Sequence, residues 1–246
     1  MTNALITGAN KGIGFAVAGQ LGRSGVKVLV GARDAEKGDE AVKILRAQRI
    51  DAEAVEIDVT DPAGVRAAAA RVREEHGHLD VLVNNAGVLP EVTAAERVTG
   101  PMDLEMFRTT FETNVFGTIA VTEAFLPLLR AAPAGRIVNV SSTMGSLADQ
   151  TDPDSVYYGQ VVPAYQTSKV ALNAITVALS KALAETEIKV NSVCPGWVQT
   201  DLGGPENKAA APMTPDQGAA VVTRMALIAG DGPTGGFFDQ DGPVRW

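Results

Sequence analysis

Short apolar runs alternate along the chain with stretches whose apolar positions recur every three to four residues. ALIT (4–7), VKVLVGA (26–32), AEAVEI (52–57), DVLVN (80–84), RIVNVS (136–141) and IKVNSV (188–193) read as strands. The intervening periodicity predicts helices near 13–23, 35–48, 61–75, 104–130 and 163–185. A further helix near 215–229 leads to GGFF (235–238), and Pro127 falls in the last turn of the 104–130 helix or bends it there. Several strands are almost entirely apolar, which suits burial on both faces of a parallel sheet. Regular β-α alternation implies right-handed crossovers and an α/β fold, a doubly wound parallel sheet with helices on both faces. No linker, repeat or low-complexity tract interrupts the pattern, so residues 1–246 read as a single domain.

Composition narrows the function classes. The chain has 246 residues, 46% of them hydrophobic and 20% charged, which is ordinary for a folded soluble protein. Its formal net charge is −8, with no basic run, which argues against nucleic acid or an anionic membrane as partner. A lone cysteine, Cys194, excludes an intramolecular disulfide and suits a reducing compartment; it reads as a small buried apolar residue. The N-terminus lacks a signal-peptide pattern. No apolar run approaches the ~20 residues of a membrane span. The nearest candidates are broken by Glu123 and Arg224. A cytoplasmic location is expected. His76 and His78 flank Gly77 as a helix end and turn, and no Cys/His cluster points to a metal.

Two stretches carry chemistry. TGANKGIG (7–14) lies between the first strand and the first helix. Gly8, Gly12 and Gly14 permit a tight turn and close backbone approach, and the helix N-terminus offers N–H groups to a pyrophosphate. An acid at the end of the second strand would bond the ribose 2′-OH of NAD, but the sequence there is GARD. Arg33 suits a 2′-phosphate and Lys11 adds a second cation, which favours NADPH; the rival reading gives the acid's part to Asp34.

The second stretch is YQTSK (165–169), with a phenol and an ammonium on one helix face. Lowering a tyrosine pKa by ~2–3 units takes about 3–4 kcal/mol. A unit charge ~4–5 Å away supplies roughly that at an effective dielectric of ~20. Lys169 is therefore expected to lower the pKa of Tyr165, with burial acting the other way. Tyr157 and Tyr158 have no lysine four residues on.

Together these motifs resemble the short-chain dehydrogenase/reductase family. TGANKGIG, NNAG (84–87), VNVSS (138–142), YQTSK and PGWVQT (195–200) match its motifs in order, and the likeness spans essentially the whole chain. It is most similar to the NADPH-dependent carbonyl reductase branch. The resemblance implies a Rossmann-like catalytic domain that binds NADPH/NADP+ and passes hydride between the cofactor and a small carbonyl or alcohol substrate. It implies Tyr165 as proton donor and Ser142, rather than Ser141, as partner of the substrate oxygen. Lys169 would bond the nicotinamide ribose, and Asn114 would hold a water of a proton relay. The cofactor set it implies is Gly8, Asn10, Lys11, Gly12, Ile13, Gly14, Arg33, Asp58, Val59, Asn85, Ala86, Gly87, Tyr165, Lys169, Pro195, Gly196, Val198 and Thr200. Within it, Asp58, ending the third strand, would contact adenine; Asn85, Ala86 and Gly87 would flank the adenosine ribose. Thr200 and the backbone from Pro195 to Val198 would hold the carboxamide.

The chain departs from compact members of that family in the 22 residues between Ser142 and Tyr165. That segment could roof a substrate pocket or block a dimerising helix surface, so monomer and homo-oligomer both stay open. Met144, Tyr158 and Trp197 are candidate pocket walls. An NADP-sensing or regulatory protein on the same fold is the alternative function, opposed by the intact Asn114, Ser142, Tyr165 and Lys169 set.

Overall fold

The computed structural model describes residues 2–246. The chain opens with β1 (Asn3–Ile6), buried throughout, followed by α1 (Gly12–Arg23), β2 (Lys27–Ala32), α2 (Ala35–Ala47), β3 (Ala52–Glu56), α3 (Pro62–His76) and β4 (Val81–Asn84). Local chemistry sets several of these boundaries. Asp34 and Asp61 cap α2 and α3, accepting from the backbone N–H of Lys37 and Ala63 at 3.2 and 3.0 Å. Pro62 starts α3 and Gly77, at φ 76°, ends it.

The second half runs α4 (Pro90–Thr93), α5 (Leu104–Phe111), a π turn (Glu112–Gly117), α6 (Thr118–Ala131) and β5 (Arg136–Val140). It continues through α7 (Leu147–Thr151), α8 (Pro163–Ala182), β6 (Lys189–Val193), α9 (Gly204–Ala210), α10 (Pro215–Ala226) and β7 (Phe237–Phe238).

The strands form one sheet in the order β3-β2-β1-β4-β5-β6-β7, every neighbouring pair parallel. The winding reverses between β1 and β4, which opens a crevice at the carboxyl ends of those strands, where α/β sheets bind ligands. One face of the sheet is covered by Val17 and Leu21 of α1 with Val222 and Met225 of α10. The other is covered by Val65 and Val72 of α3 with Val121 and Phe125 of α6.

The continuous helix expected over 104–130 is corrected: a π turn divides it. Gly117 ends the turn where the chain passes the β3–α3 connection, and a Cβ there would come within 2.8 Å of Val59. Apolar periodicity hid this, because one extra residue in a turn leaves the flanking pattern intact. Pro127 lies inside α6, which continues to Ala131. The other element bounds differ from the sequence reading by up to three residues.

Candidate active site

The first wall of the crevice is the glycine turn between β1 and α1. Gly8 and Gly12 take φ values of 64° and 59°, a region that favours glycine. Gly14 is held by space rather than φ: a Cβ there would lie 2.6 Å from both the Gly8 carbonyl oxygen and the Asn85 Nδ2. The NNAG segment after β4 supports the turn. Asn85 Nδ2 donates to the Thr7 carbonyl at 2.8 Å, and the backbone N–H groups of Asn85 and Ala86 both donate to Thr7 Oγ1 at 3.0 Å. Asn10, Gly12 and Ile13 are partly exposed along the turn. Lys11 holds the cap position of α1 and makes no side-chain cap hydrogen bond to its first N–H groups. This fits an anionic diphosphate group.

The charges around this wall are arranged differently from the sequence reading. Lys11 Nζ pairs with Asp201 Oδ2 at 2.7 Å, and Lys208 Nζ with Asp201 Oδ1 at 2.8 Å. The two ammonium groups hold the Asp201 carboxyl at about 2. Arg33, exposed beyond the end of β2, makes no ion pair among the described residues. Asp34, the rival candidate for a ribose contact, is engaged as the α2 cap and pairs with Lys37 at 2.8 Å. β3 stops at Glu56, so Asp58 lies past the strand end it was expected to form; its Oδ1 accepts from the Thr60 backbone N–H at 2.9 Å.

The second wall is the first turn of α8. Tyr165 and Lys169 are buried on one face, with Lys169 Nζ 5.5 Å from the Tyr165 ring centroid. Lys169 Nζ donates to the Val140 carbonyl at 2.9 Å, which ties it to the end of β5. Ser142 lies beyond β5, beside the Tyr165 hydroxyl, and its Oγ accepts from the Met144 backbone N–H at 3.1 Å. Ser141 is buried with its hydroxyl unpartnered. The 143–145 turn packs so closely on α8 that a Cβ on Gly145 would lie 2.7 Å from Lys169 backbone carbon.

Asn114, in the π turn, accepts from the Val88 backbone N–H at 2.8 Å and donates to the Val88 carbonyl and Ser168 Oγ at 3.0 and 3.1 Å. Gly87 lies between this asparagine and Lys169: a Cβ there would be 3.4 Å from Asn114 Oδ1 and 3.9 Å from Lys169 Nζ. The segment after β6 completes the crevice. Gly196 has φ 84°, Val198 bridges to Met213, and Thr200 lies across from Gly12 at 3.4 Å from where its Cβ would be. Tyr158 and Trp197 are more than half exposed, and Met144 is half-buried.

The electrostatics correct one sequence expectation. Burial pushes the Tyr165 phenol up, Cys194 adds to the rise electrostatically, and Ser142 works against it. Lys169 itself is brought down to about 8 by burial. Desolvation penalises both charged forms, and Lys169 is not among the groups that lower Tyr165.

This arrangement of strands, glycine turn and Tyr-Lys helix has known counterparts. The short chain dehydrogenase family model matches residues 2–211. The chain belongs to the short-chain dehydrogenase family. It is thus an oxidoreductase of the group acting on carbonyl and alcohol functions. Carbonyl reductase [NADPH] 1 of Sus scrofa is 33% identical, with 99% of this chain and 93% of that protein covered. A short-chain dehydrogenase of Penicillium roqueforti is 38% identical, with 90% and 87% covered. Among solved structures, NADPH-bound carbonyl reductase from chicken fatty liver superposes with a TM-score of 0.82 at 28% identity, covering 100% of this chain and 99% of that one. The pig alignment extends over 282 positions against 246 residues here, so the pig reductase carries insertions that this chain lacks.

Three residues of the site were missed or misjudged in the sequence. Glu91 of α4 accepts from the backbone N–H groups of Ala164 and Tyr165 at 3.0 and 2.8 Å. Its one sequence signal was indirect: α8 starts at Val162-Pro163 with no capping side chain, so its free donors needed a distant acceptor. Asp201, which pairs with both lysines, had no signal. Cys194 is buried as expected, yet it acts electrostatically on Tyr165 and Lys169 and accepts from Thr143 Oγ1 at 3.0 Å. Far from this site, Glu53, Glu75 and His76 cluster at the opposite end of the sheet, where Lys27 Nζ, 3.3 Å from Glu53, already supplies a cation. No described helix is long and apolar enough to cross a membrane.

Proposed function

We propose that the protein is an NADPH-dependent carbonyl reductase that reduces a ketone or aldehyde, reversibly, with Tyr165 as proton donor. The observation that carries this reading is the buried Tyr165 with Lys169 on its helix face and Ser142 beside its hydroxyl. NADPH, when bound, supplies the hydride. Gly8, Asn10, Gly12, Ile13 and Gly14 would receive its diphosphate, and Arg33 its 2′-phosphate. Asp58, Val59 and the Asn85-Ala86-Gly87 segment would flank the adenosine. Pro195, Gly196, Val198 and Thr200 would hold the carboxamide.

The chain's own groups suit proton donation. Burial keeps Tyr165 as a neutral phenol at neutral pH, so it carries a proton to give. Ser142 Oγ accepts from Met144, which leaves its hydroxyl proton for the substrate oxygen. Lys169 spends one of three protons on Val140; the others can meet a ribose hydroxyl and the phenol oxygen. Asn114 keeps the segment after β4 against α8 and would order a relay water there.

The test is the loss of nicotinamide absorbance with NADPH or NADH over a panel of ketones, aldehydes and diketones. Turnover with NADPH is expected, and Tyr165→Phe should lower it by on the order of 10²–10⁴-fold while still binding NADPH. Wild-type binding of NADPH without turnover of any carbonyl would return the reading to a sensor.

A further inference from the structure

Helix α8 begins without local means of satisfying its first donors. Val162 occupies the cap position with no side-chain oxygen, and Pro163 has no N–H. The next two N–H groups, of Ala164 and Tyr165, would be orphans. Both are taken by one carboxylate from elsewhere: Glu91 Oε1 accepts from Ala164 at 3.0 Å and Oε2 from Tyr165 at 2.8 Å. These are charge-assisted bonds to the positive end of a 20-residue helix, among the stronger kinds of hydrogen bond.

The same residue is fixed on its carbonyl side. Ser168 Oγ donates to the Tyr165 carbonyl at 2.7 Å and accepts from Asn114 Nδ2 at 3.1 Å. Asn114 in turn holds both backbone groups of Val88, three residues before Glu91. A closed circuit therefore runs from Tyr165 N–H to Glu91, along the chain to Val88, through Asn114 and Ser168, and back to the Tyr165 carbonyl. The backbone that carries the phenol is gripped on both sides.

We infer that Glu91 is a positioning residue for Tyr165, setting where the phenol meets the substrate oxygen. The inference rests on the carbonyl reductase reading of the site. Glu91 touches only backbone N–H groups of α8 in this circuit, so its removal acts through Tyr165 and not on the cofactor cradle. A displacement of about 1 Å at a reacting group can cost on the order of 100-fold in rate.

The experiment compares wild type, Glu91→Gln and Glu91→Ala by steady-state kinetics with NADPH, NADPH binding by fluorescence, and thermal unfolding. Glu91→Ala is expected to lower kcat about 10- to 100-fold, with KM and Kd for NADPH within about twofold of wild type. Glu91→Gln keeps the shape and one acceptor oxygen, so its kcat should fall between the two. Amide hydrogen exchange at Ala164 and Tyr165 should quicken in Glu91→Ala, while β4 and β5 amides stay protected. A lowered Tm with kcat unchanged in both variants would mean an ordinary helix cap and overturn the inference. Equal losses in kcat and in NADPH affinity would overturn it too, because they mean a general loss of fold. An inactive wild type would instead refute the reductase reading, and the exchange data would still report whether Glu91 holds the first turn of α8.

Discussion

Around the glycine turn, the bonds that set the geometry belong to adjacent strands and short turns. The Thr7 N–H donates to Val83 and the Ala9 N–H to Gly31, at 3.0 and 2.9 Å, continuing the ladders of β1 with β4 and β2. Around Tyr165, the positioning contacts come from distant side chains. Glu91 reaches across 73 positions to Ala164, and Lys169 across 29 to Val140. The 147–152 stretch nearby is held from the far end of the chain. The Ala148 N–H donates to the Trp246 carbonyl at 3.0 Å, and Arg245 pairs with Asp149 and Asp152 at 3.5 and 3.1 Å. Trp246 stacks on Phe237 at a centroid distance of 5.6 Å. Both walls are thus held by tertiary contacts: the cofactor wall takes them mainly from neighbouring strands and the segment after β4, the catalytic wall from side chains on separate elements.

The contrast breaks most sharply at Gly14. Gly14→Ala places a methyl 2.6 Å from the Gly8 carbonyl, in backbone that has no room to give. Overpacking of this kind costs about 1–3 kcal/mol. NADPH affinity should fall at least tenfold, with a lowered Tm, as read by fluorescence titration and calorimetry. A variant that binds NADPH normally would show that the turn is less rigid than its contacts imply.

A finer division separates the two cations of the cofactor wall. Arg33→Ala should reduce the preference for NADPH over NADH by about 10- to 100-fold, the worth of a charged hydrogen-bonded contact of about 1.5–3 kcal/mol. Lys11→Ala should change it less, because that ammonium is shared with Asp201. The ratio of kcat/KM for the two cofactors measures both.

The smallest effect should appear on the catalytic wall alone, through pH. Burial brings Lys169 down to about 8, so kcat should halve as pH rises through about 8. Stability should move the opposite way. The folded state binds fewer protons at this lysine than the unfolded chain from about pH 8 up to the ordinary lysine range, so its contribution to stability rises across that window. Loss of activity without loss of Tm would therefore assign the titration to the site.

The same division explains what the sequence made legible. The β-α alternation and the glycine turn were readable because strand burial, glycine and the VNVSS and YQTSK spacings are local properties. The π turn was not, since the apolar spacing of 104–130 continues through it. Glu91 was invisible because its partners lie 73 and 74 positions away; Asp201 meets Lys11 across 190 positions, and its other partner, Lys208, is seven residues on. Tyr165 was found, but the direction of its pKa was not: spacing reveals a neighbouring charge, whereas burial is known only once the sheet, the 143–145 turn and α8 have closed around it. The 147–152 stretch is the least legible, being a short helix and turns fastened by ion pairs to a mostly exposed Arg245, each worth only about 0.2–1 kcal/mol.

The π turn has a consequence for comparing this chain with others. Such a turn is an α-helix carrying one residue more than its winding needs. Deleting one residue of 112–117 other than Asn114 would let α5 and α6 join in regular α winding with the flanking helices in place, so that the turn itself is rewound. Asn114 would then leave Val88 and Ser168 with every neighbouring side chain unchanged. In an alignment, a single gap in ETNVFG would therefore mark a chain in which this circuit is open, even where the asparagine itself is retained.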